Sequence, residues 1–374
     1  MKIVHIITGL NDGGAEGVLY RLCKNDSKYK HSVISMMDEG KYGSLLRNFG
    51  VDVYCLNMNL GRIRIKNVLK LSKLLLKLKP DIIQTWMYHA DFFGGIVSRI
   101  VGFKNIFWNI RHTTLEPGDS KKSTILIAKL CARLSGIIPK GIICCAEEAL
   151  RVHSEMGYKK QKMTVIANGY DISLFKPSDE LRLSFRNEFE LNSSTLIIGM
   201  VGRFHPQKNH LGLLEALSIV RMSFKDFKVL LIGRDLNHDN PILNNEIKKQ
   251  NLESNILLLS QRSDMPAVMN ALDINILSSS SGEGFPNVLA EAMACGTPCV
   301  TTNIGDAALI VSDTGWVVPP NDSQALANAI IEAIEERSFD EQSWVLRKQN
   351  CRNHIIENFD IDQMIKNYHL TWGI

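Results

Sequence analysis

Residues 278–299 read SSSSGEGFPNVLAEAMACGTPC, and this stretch decides the fold. Just before it, 273–277 (DINIL) is a short apolar run with strand character. Four serines and two glycines break that run, and Pro286 followed by NVLAEAMAC restarts the chain as a helix. A strand, a glycine-bearing loop and a helix opening are how a Rossmann-like α/β unit presents its ligand loop. A proline at the first helical position sacrifices nothing, because the donor there would be unpaired anyway. The N–H groups near Gly284 and Phe285 are therefore expected to point at an anion. Glu283 before the helix and Glu291 in its second turn flank that electropositive end. Carboxylates repel phosphate, so they are expected to accept from sugar hydroxyls. A nucleotide sugar supplies hydroxyls on both sides of a diphosphate.

The nonapeptide EGFPNVLAE resembles the Glu-x7-Glu signature of the retaining glycosyltransferases of family 4, and AMACGTPCVTT continues the likeness. The resemblance implies the GT-B fold, an α/β architecture of two Rossmann-like domains whose parallel sheets face a central cleft. It also implies that Glu283 contacts hydroxyls of the donor sugar and Glu291 the ribose. The competing structural reading has Glu283 capping a helix and Glu291 solvated.

Composition sets the frame. A chain of 374 residues accommodates two ordinary domains, and its apolar share of 45% and charged share of 22% are those of a globular protein. No apolar run approaches bilayer length, and the N-terminal KIVHIITG is too short for a signal peptide and reads as a first strand. A cytoplasmic location is expected. The eight cysteines show no metal-ligand spacing, so reduced, mostly buried thiols are expected. The net charge of +4 is unevenly placed, with +13 over residues 1–170 and −9 over the remainder. A basic first half points to an anionic surface or substrate.

From the N-terminus, the strand 2–7 runs into TGLNDGGAEGVLYRLCK, a glycine loop and helix start. Family 4 enzymes carry a GGAE-type loop near the donor phosphates, which makes Gly14 a donor-side candidate. The absent GxGxxG pattern counts against a dinucleotide cofactor. In GRIRIKNVLKLSKLLLKLKP, Lys66, Lys70, Lys73 and Lys77 step by four, three and four residues onto one helix face. Leu71, Leu74, Leu75 and Leu78 form another. Either a solvated outer helix or a patch against an anionic inner-leaflet membrane surface fits this pattern. The apolar helix 124–134, flanked by Lys121, Lys122, Lys129 and Arg133, reads as core, with a second interfacial segment as the alternative.

The strand 81–85 ends in WMYHADFFGG, and the carboxyl ends of parallel strands are where open sheets bind ligands. TWMYHAD resembles a family 4 subgroup that elongates lipid-linked bacterial glycans. Trp86, His89 and Asp91 are thus acceptor-side candidates, with core packing as the alternative for Trp86. The strand 106–110 ends at Arg111 and His112, and a histidine in that place reaches the donor sugar in the family. VIANGYDISLF then Lys176 and Pro177 is similar to the family's passage between domains. The expected division is an acceptor and membrane-facing domain over 1–170, a nucleotide-sugar domain over 171–355, and a tail over 356–374 that packs back on the first domain.

The second domain opens with a strand at 196–201 and GRFHPQKNHLGLLEAL. Arg203 and Lys208 lie five residues apart across a strand-to-helix turn, and two cations beside helix starts suit a diphosphate leaving group. GR-x4-K matches the family's diphosphate clamp. After the strand 256–259, Gln261 and Arg262 fall where the family lines its base pocket. The sequence has Gly305 and Asp306 where the family more often has two glycines. Asp360 and Asp362 precede a helix and read as capping, so no metal and no cofactor is expected.

The leading expectation is a retaining hexosyltransferase of bacterial surface polysaccharide synthesis, peripheral on the inner face of the plasma membrane. His112, Arg203, Lys208 and Glu283 form its catalytic set, and Gly14, Gln261, Arg262, Gly284, Phe285 and Glu291 its donor contacts. The implied donor is a UDP-sugar and the implied acceptor an undecaprenyl diphosphate-linked saccharide, with no nucleic-acid partner. A nucleotide-sugar 2-epimerase of the same shape would need acid and base groups converging on the sugar, and only Glu283 and His112 offer themselves. A silent sugar-binding protein would not need the intact Glu283, Glu291, Arg203 and Lys208.

Overall fold

The computed structural model describes residues 1–11, 13–58, 64–113 and 121–374. Asp12 and the first residues of the basic stretch, 61–63, therefore lie outside the described residues. The chain divides into two compact units, Met1–Gly169 with Ile361–Ile374, and Tyr170–Asp360. These divisions fall one and five residues from the expected 170/171 and 355/356.

Unit 1 holds β1 (Lys2–Ile7), β2 (Lys30–Ser35), β3 (Asp52–Cys55), β4 (Ile82–Trp86), β5 (Ile106–Ile110), β6 (Gly141–Cys144) and β7 (Met163–Val165). They form one parallel sheet in the order β3-β2-β1-β4-β5-β6-β7. Every residue of β4, β5 and β6 is buried, as expected for strands covered on both faces. The alternation of side chains sorts Val4 and Ile6 to a core shared with the helices Ile65–Leu78, Tyr88–Ile100 and Lys122–Leu134. Ile3 and Ile7 face a second core, under the helices Gly14–Asn25 and Ile361–Trp372. That last helix buries Ile361, Met364, Ile365, Tyr368 and Trp372, a three-and-four spacing that makes one stripe.

A relay of hydrogen bonds runs under the last helix. The Trp86 indole, which can only donate, gives its N–H to His5 Nδ1 at 3.1 Å. His5 must then carry its proton on Nε2 and donate to His31 Nδ1 at 2.9 Å, and His31 Nε2 donates to Asp26 at 3.0 Å. His369 reaches the same carboxylate oxygen at 2.7 Å. Burial works to raise the Asp26 carboxyl, but the hydrogen bonds from His31 and His369 outweigh it and hold the group at about 2. Burial, with His31 beside it, holds His5 well below the usual imidazole range.

Unit 2 holds β8 (Leu196–Val201), β9 (Phe227–Ile232), β10 (Ile256–Leu259), β11 (Ile274–Leu277), β12 (Cys299–Thr302) and β13 (Trp316–Val318). These are again all parallel, in the order β10-β9-β8-β11-β12-β13. At the amino end of β11, Asp273 accepts from Arg182 at 2.7 Å, from Arg186 at 3.0 Å and from the Ile197 amide at 2.8 Å. Arg186 is itself buried and spends its remaining donors on the carbonyls of Ala271, Asn192, Ser193 and Thr195. Burial pushes the Asp273 carboxyl up, yet Arg182, Arg337 and Arg186 together bring it below the usual range. This ionic knot ties β8 to β11 at the end opposite the ligand loops.

Candidate functional site

In each sheet the strand order reverses between two neighbours, β1 and β4 in unit 1 and β8 and β11 in unit 2. The loops leaving those neighbours diverge, and ligands bind in the crevice this opens. In unit 2 the two loops are Gly202–Asn209, after β8, and Ser278–Pro286, after β11.

The loops are stitched together. The Ser280 amide donates to Gln207 O at 2.8 Å, and the Ser278 hydroxyl donates to Lys208 O at 2.9 Å. Two glycines with positive φ permit the fit. Gly305, at φ +56°, lies against the backbone of the second loop, where a Cβ would sit 2.3 Å from Glu283 O. Gly233, at φ +152°, lies against the first, where a Cβ would sit 2.2 Å from Gly202 O. Gly284 O also accepts from the Asp306 amide at 2.9 Å. Gly305 and Asp306 thus shape the loop at the place where the sequence departs from the family's usual pair.

Charged side chains meet across this seam. Lys208 Nζ bonds Glu283 Oε1 at 2.5 Å, and the Ser279 hydroxyl donates to the same oxygen at 2.7 Å. Both partners of the ion pair are largely sheltered, with side-chain exposures of 20% and 15%, so solvent screens the pair less than it would on an open surface. Arg203 is exposed on the first loop. The helix Asn287–Ala294 starts after Pro286, which is its N-cap in place of the expected first helical position. Phe285 is buried, stacked on Tyr170 at 6.4 Å and set edge-on to Phe359 at 5.3 Å, while the Tyr170 hydroxyl donates to Asn287 Oδ1 at 2.5 Å. Glu291 lies half-buried on the helix, one turn beyond Asn287. An ammonium, a carboxylate and a nearby helix start at one crevice can hold a diphosphate and accept from hydroxyls beside it.

Other expected residues stand differently. Gln261 is exposed after β10. Arg262 is committed elsewhere. Its guanidinium pairs with Glu188 at 2.8 and 3.1 Å and with Asp264 at 2.8 and 2.7 Å, and it stacks on Phe185 and Phe189. Four of its five N–H donors are spent on these carboxylates in this structure. In unit 1, Gly14 heads its helix and is exposed, and His112 lies half-buried just past β5. Trp86 and Asp91 are fully buried, so neither offers a surface to an acceptor in this structure. Trp86 holds His5, while Asp91 accepts from the Thr85 hydroxyl at 2.5 Å, and burial pushes its carboxyl well above the usual range. His89 alone of the three is half-exposed, and burial lowers it.

The chain of Trp86, His5, His31, Asp26 and His369 is assembled by the fold from residues far apart in sequence. Its signal was two histidines inside the apolar strands KIVHII and KHSVIS. Among the described residues His5, Cys23 and His31 bring candidate ligand atoms within 4.8 Å of one another. Every ring nitrogen of the two histidines is already engaged in the relay, and burial keeps Cys23 a thiol, so the trio reads as hydrogen-bonded core.

The lysine helix Ile65–Leu78 buries Leu71 and Leu75 and exposes Lys66, Lys70, Lys73 and Lys77. It also exposes Ile65, Leu69 and Leu76, whose four-and-seven spacing forms an outward apolar stripe that the sequence reading did not single out. Among the described residues no helix is long and apolar enough to cross a membrane.

Two Rossmann-like units, one with a cation and carboxylate crevice at its switch point, define the class: an α/β protein of the GT-B kind. The family description "Glycosyl transferases group 1" matches residues 182–350, and "Glycosyltransferase Family 4" matches residues 12–174. The chain is 29% identical over 320 residues to the Escherichia coli UDP-Gal:alpha-D-GlcNAc-diphosphoundecaprenol alpha-1,3-galactosyltransferase, covering 84% of this chain and 81% of that protein. It is 24% identical to the putative glycosyltransferase EpsF of Bacillus subtilis (strain 168), covering 81% and 79% of the two chains. Among solved structures, Anabaena Alr3699/HepE in complex with UDP and glucose superimposes with a TM-score of 0.87 at 24% identity, over 100% of this chain and 99% of that one. The chain belongs to the family 4 glycosyltransferases, and it is a transferase of the hexosyl class rather than an isomerase.

Proposed function

We propose that this enzyme moves a hexose or N-acetylhexosamine from a UDP-sugar to an undecaprenyl diphosphate-linked saccharide, with retention at the anomeric carbon. The observation that carries the reading is the Lys208–Glu283 contact at the switch point of unit 2. A carboxylate that binds sugar hydroxyls and an ammonium that binds a diphosphate belong side by side, because those groups are adjacent in a nucleotide sugar. Arg203 is the second cation of the clamp, and Gly284, Phe285 and Glu291 complete the donor side. As the glycosidic bond stretches, negative charge gathers on the departing phosphate, and Lys208 and Arg203 stabilise it. The acceptor hydroxyl attacks from the same face, and its proton passes to the departing phosphate oxygen, so no enzymic base is required. Within unit 1 the candidate substrate contacts are Gly14, His112 and His89. The E. coli relative, by its name, uses UDP-Gal and a diphosphoundecaprenol-linked sugar, which supports the choice of donor and acceptor class.

The same reading places the enzyme on the anionic inner face of the plasma membrane. Lys66, Lys70, Lys73 and Lys77 attract phosphate headgroups, while Ile65, Leu69 and Leu76 insert beside them. The helix Lys122–Leu134, in the same core as the lysine helix, adds exposed Leu126 with exposed Lys129 and Arg133.

A thermal-shift series with UDP-, GDP-, ADP- and dTDP-sugars tests the donor. UDP-sugars should raise the melting temperature, and no shift with any of them refutes the assignment. Changing the four lysines to glutamate should abolish binding to vesicles containing anionic lipid, and unchanged binding removes the membrane surface.

A further inference from the structure

The run of four serines ahead of Glu283 divides its labour. The Ser278 hydroxyl is spent on the carbonyls of Lys208 at 2.9 Å and Asn209 at 3.3 Å. The Ser280 amide is spent on Gln207. Ser279, wholly buried, is the one that reaches a charged side chain of the crevice, donating its hydroxyl to Glu283 Oε1 at 2.7 Å. Its backbone is fixed from the neighbouring strand, because the Thr302 hydroxyl donates to Ser279 O at 2.6 Å. Ser279 is therefore a neutral donor, its backbone fixed, aimed at a carboxylate oxygen that also accepts from the charged arm of Lys208.

Those two donors meet different fates when a donor substrate arrives. An ammonium is drawn to the denser charge of a diphosphate, so Lys208 loosens its hold on Glu283 at the moment the carboxylate must accept from sugar hydroxyls. Ser279 carries no charge and stays. We propose that Ser279 is a positioning residue for sugar recognition: it keeps Glu283 aimed at the hexose while Lys208 passes from the carboxylate to the diphosphate. The proposal rests on the function proposed above and adds to it a residue whose effect is confined to the sugar half of the donor.

The test is a binding cycle on the full chain, using UDP and whichever of UDP-glucose, UDP-galactose and UDP-N-acetylglucosamine stabilises the wild type most. Ser279→Ala should weaken the UDP-sugar by about tenfold, the worth of one hydrogen bond to a charged group, and leave UDP within about twofold. In a Glu283→Ala background the same change should add less than about twofold, since the group it positions is gone. Equal weakening of UDP and UDP-sugar, an unaltered UDP-sugar affinity, or penalties that multiply in the double variant would each overturn the proposal. Ser279→Cys, nearly isosteric and a poor donor, should reproduce the Ala result if Ser279→Ala does not fold, and a UDP-sugar affinity equal to wild type in that variant overturns it equally. A single Glu283→Ala variant that binds the UDP-sugar as tightly as wild type sinks both this proposal and the site reading beneath it, and is recognised because it appears without any change at Ser279.

Discussion

Lowering the pH from 7.5 to 5.0 strikes an imidazole that has no way to hold a proton. His210 is the first residue of the helix His210–Ser223, only 2% exposed, and among the described residues no hydrogen bond engages either ring nitrogen. Burial, with the Lys208 charge adding to it, lowers the group to about 4. In the unfolded chain the same imidazole titrates near ~6.5. Between these values the unfolded state binds a proton that the folded state refuses, so stability is intact above about 6.5 and falls as the pH drops toward 4. Linkage across that gap gives about 2 kcal/mol lost at pH 5 and almost nothing at pH 7.5. Set against a net stability of about 5–15 kcal/mol for a folded domain, that loss is readily measured. His210→Phe keeps an aromatic ring beside Phe204 without a titrating group and, among the described residues, breaks no hydrogen bond. Urea unfolding at both pH values, followed for wild type and variant, should show the gap between them change by about 2 kcal/mol in the variant's favour at pH 5. Identical pH dependence in the two proteins refutes the reasoning. Asp26, held at about 2, gives up its contribution only as the pH falls through the window from about 4 to 2, so it does not enter this comparison.

Two further substitutions probe the scaffold of the crevice. Gly305→Ala places a methyl group against Glu283 O and Gly284 O at a φ of +56°, so it should cost about 1–3 kcal/mol in denaturant unfolding and weaken nucleotide binding together; unchanged values for both would show that this turn does not shape the loop. Asp273→Ala strips the buried Arg186 of its counter-charge and should cost about 3–5 kcal/mol, read as a lower unfolding midpoint, whereas a loss below about 1 kcal/mol would mean that the carbonyls alone satisfy that guanidinium.

The sheets were legible because buried parallel strands read as short apolar runs between turn residues. The run DINIL gave β11 to within one residue, Ile274–Leu277. The loop with Glu283 and the turn with Arg203 and Lys208 were legible as local patterns, since glycines, proline and helix starts are separated by few residues. Partners far apart in sequence were not. Arg262 stood at a plausible base pocket, but its fate is fixed by Glu188, which the fold brings from 74 residues away. The Asp26–His369 contact spans 343 residues and exists only because the last helix returns to unit 1. Trp86 and Asp91 look ligand-facing at a strand end, yet whether such a side chain turns inward depends on what sits behind it, here His5 for one and Thr85 for the other. The Ser279–Glu283 bond was hidden for a different reason: the four serines are identical as letters, and only the path of the loop decides which hydroxyl meets a carboxylate.

The central claim is that Lys208 and Arg203 bind the diphosphate of the donor. Calorimetric titration of UDP into the wild type, Lys208→Ala and Arg203→Ala measures it without any acceptor. Each charge-assisted contact is worth about 1.5–3 kcal/mol, so each variant should bind UDP at least about tenfold more weakly. UDP affinity equal to wild type in both variants would contradict the account.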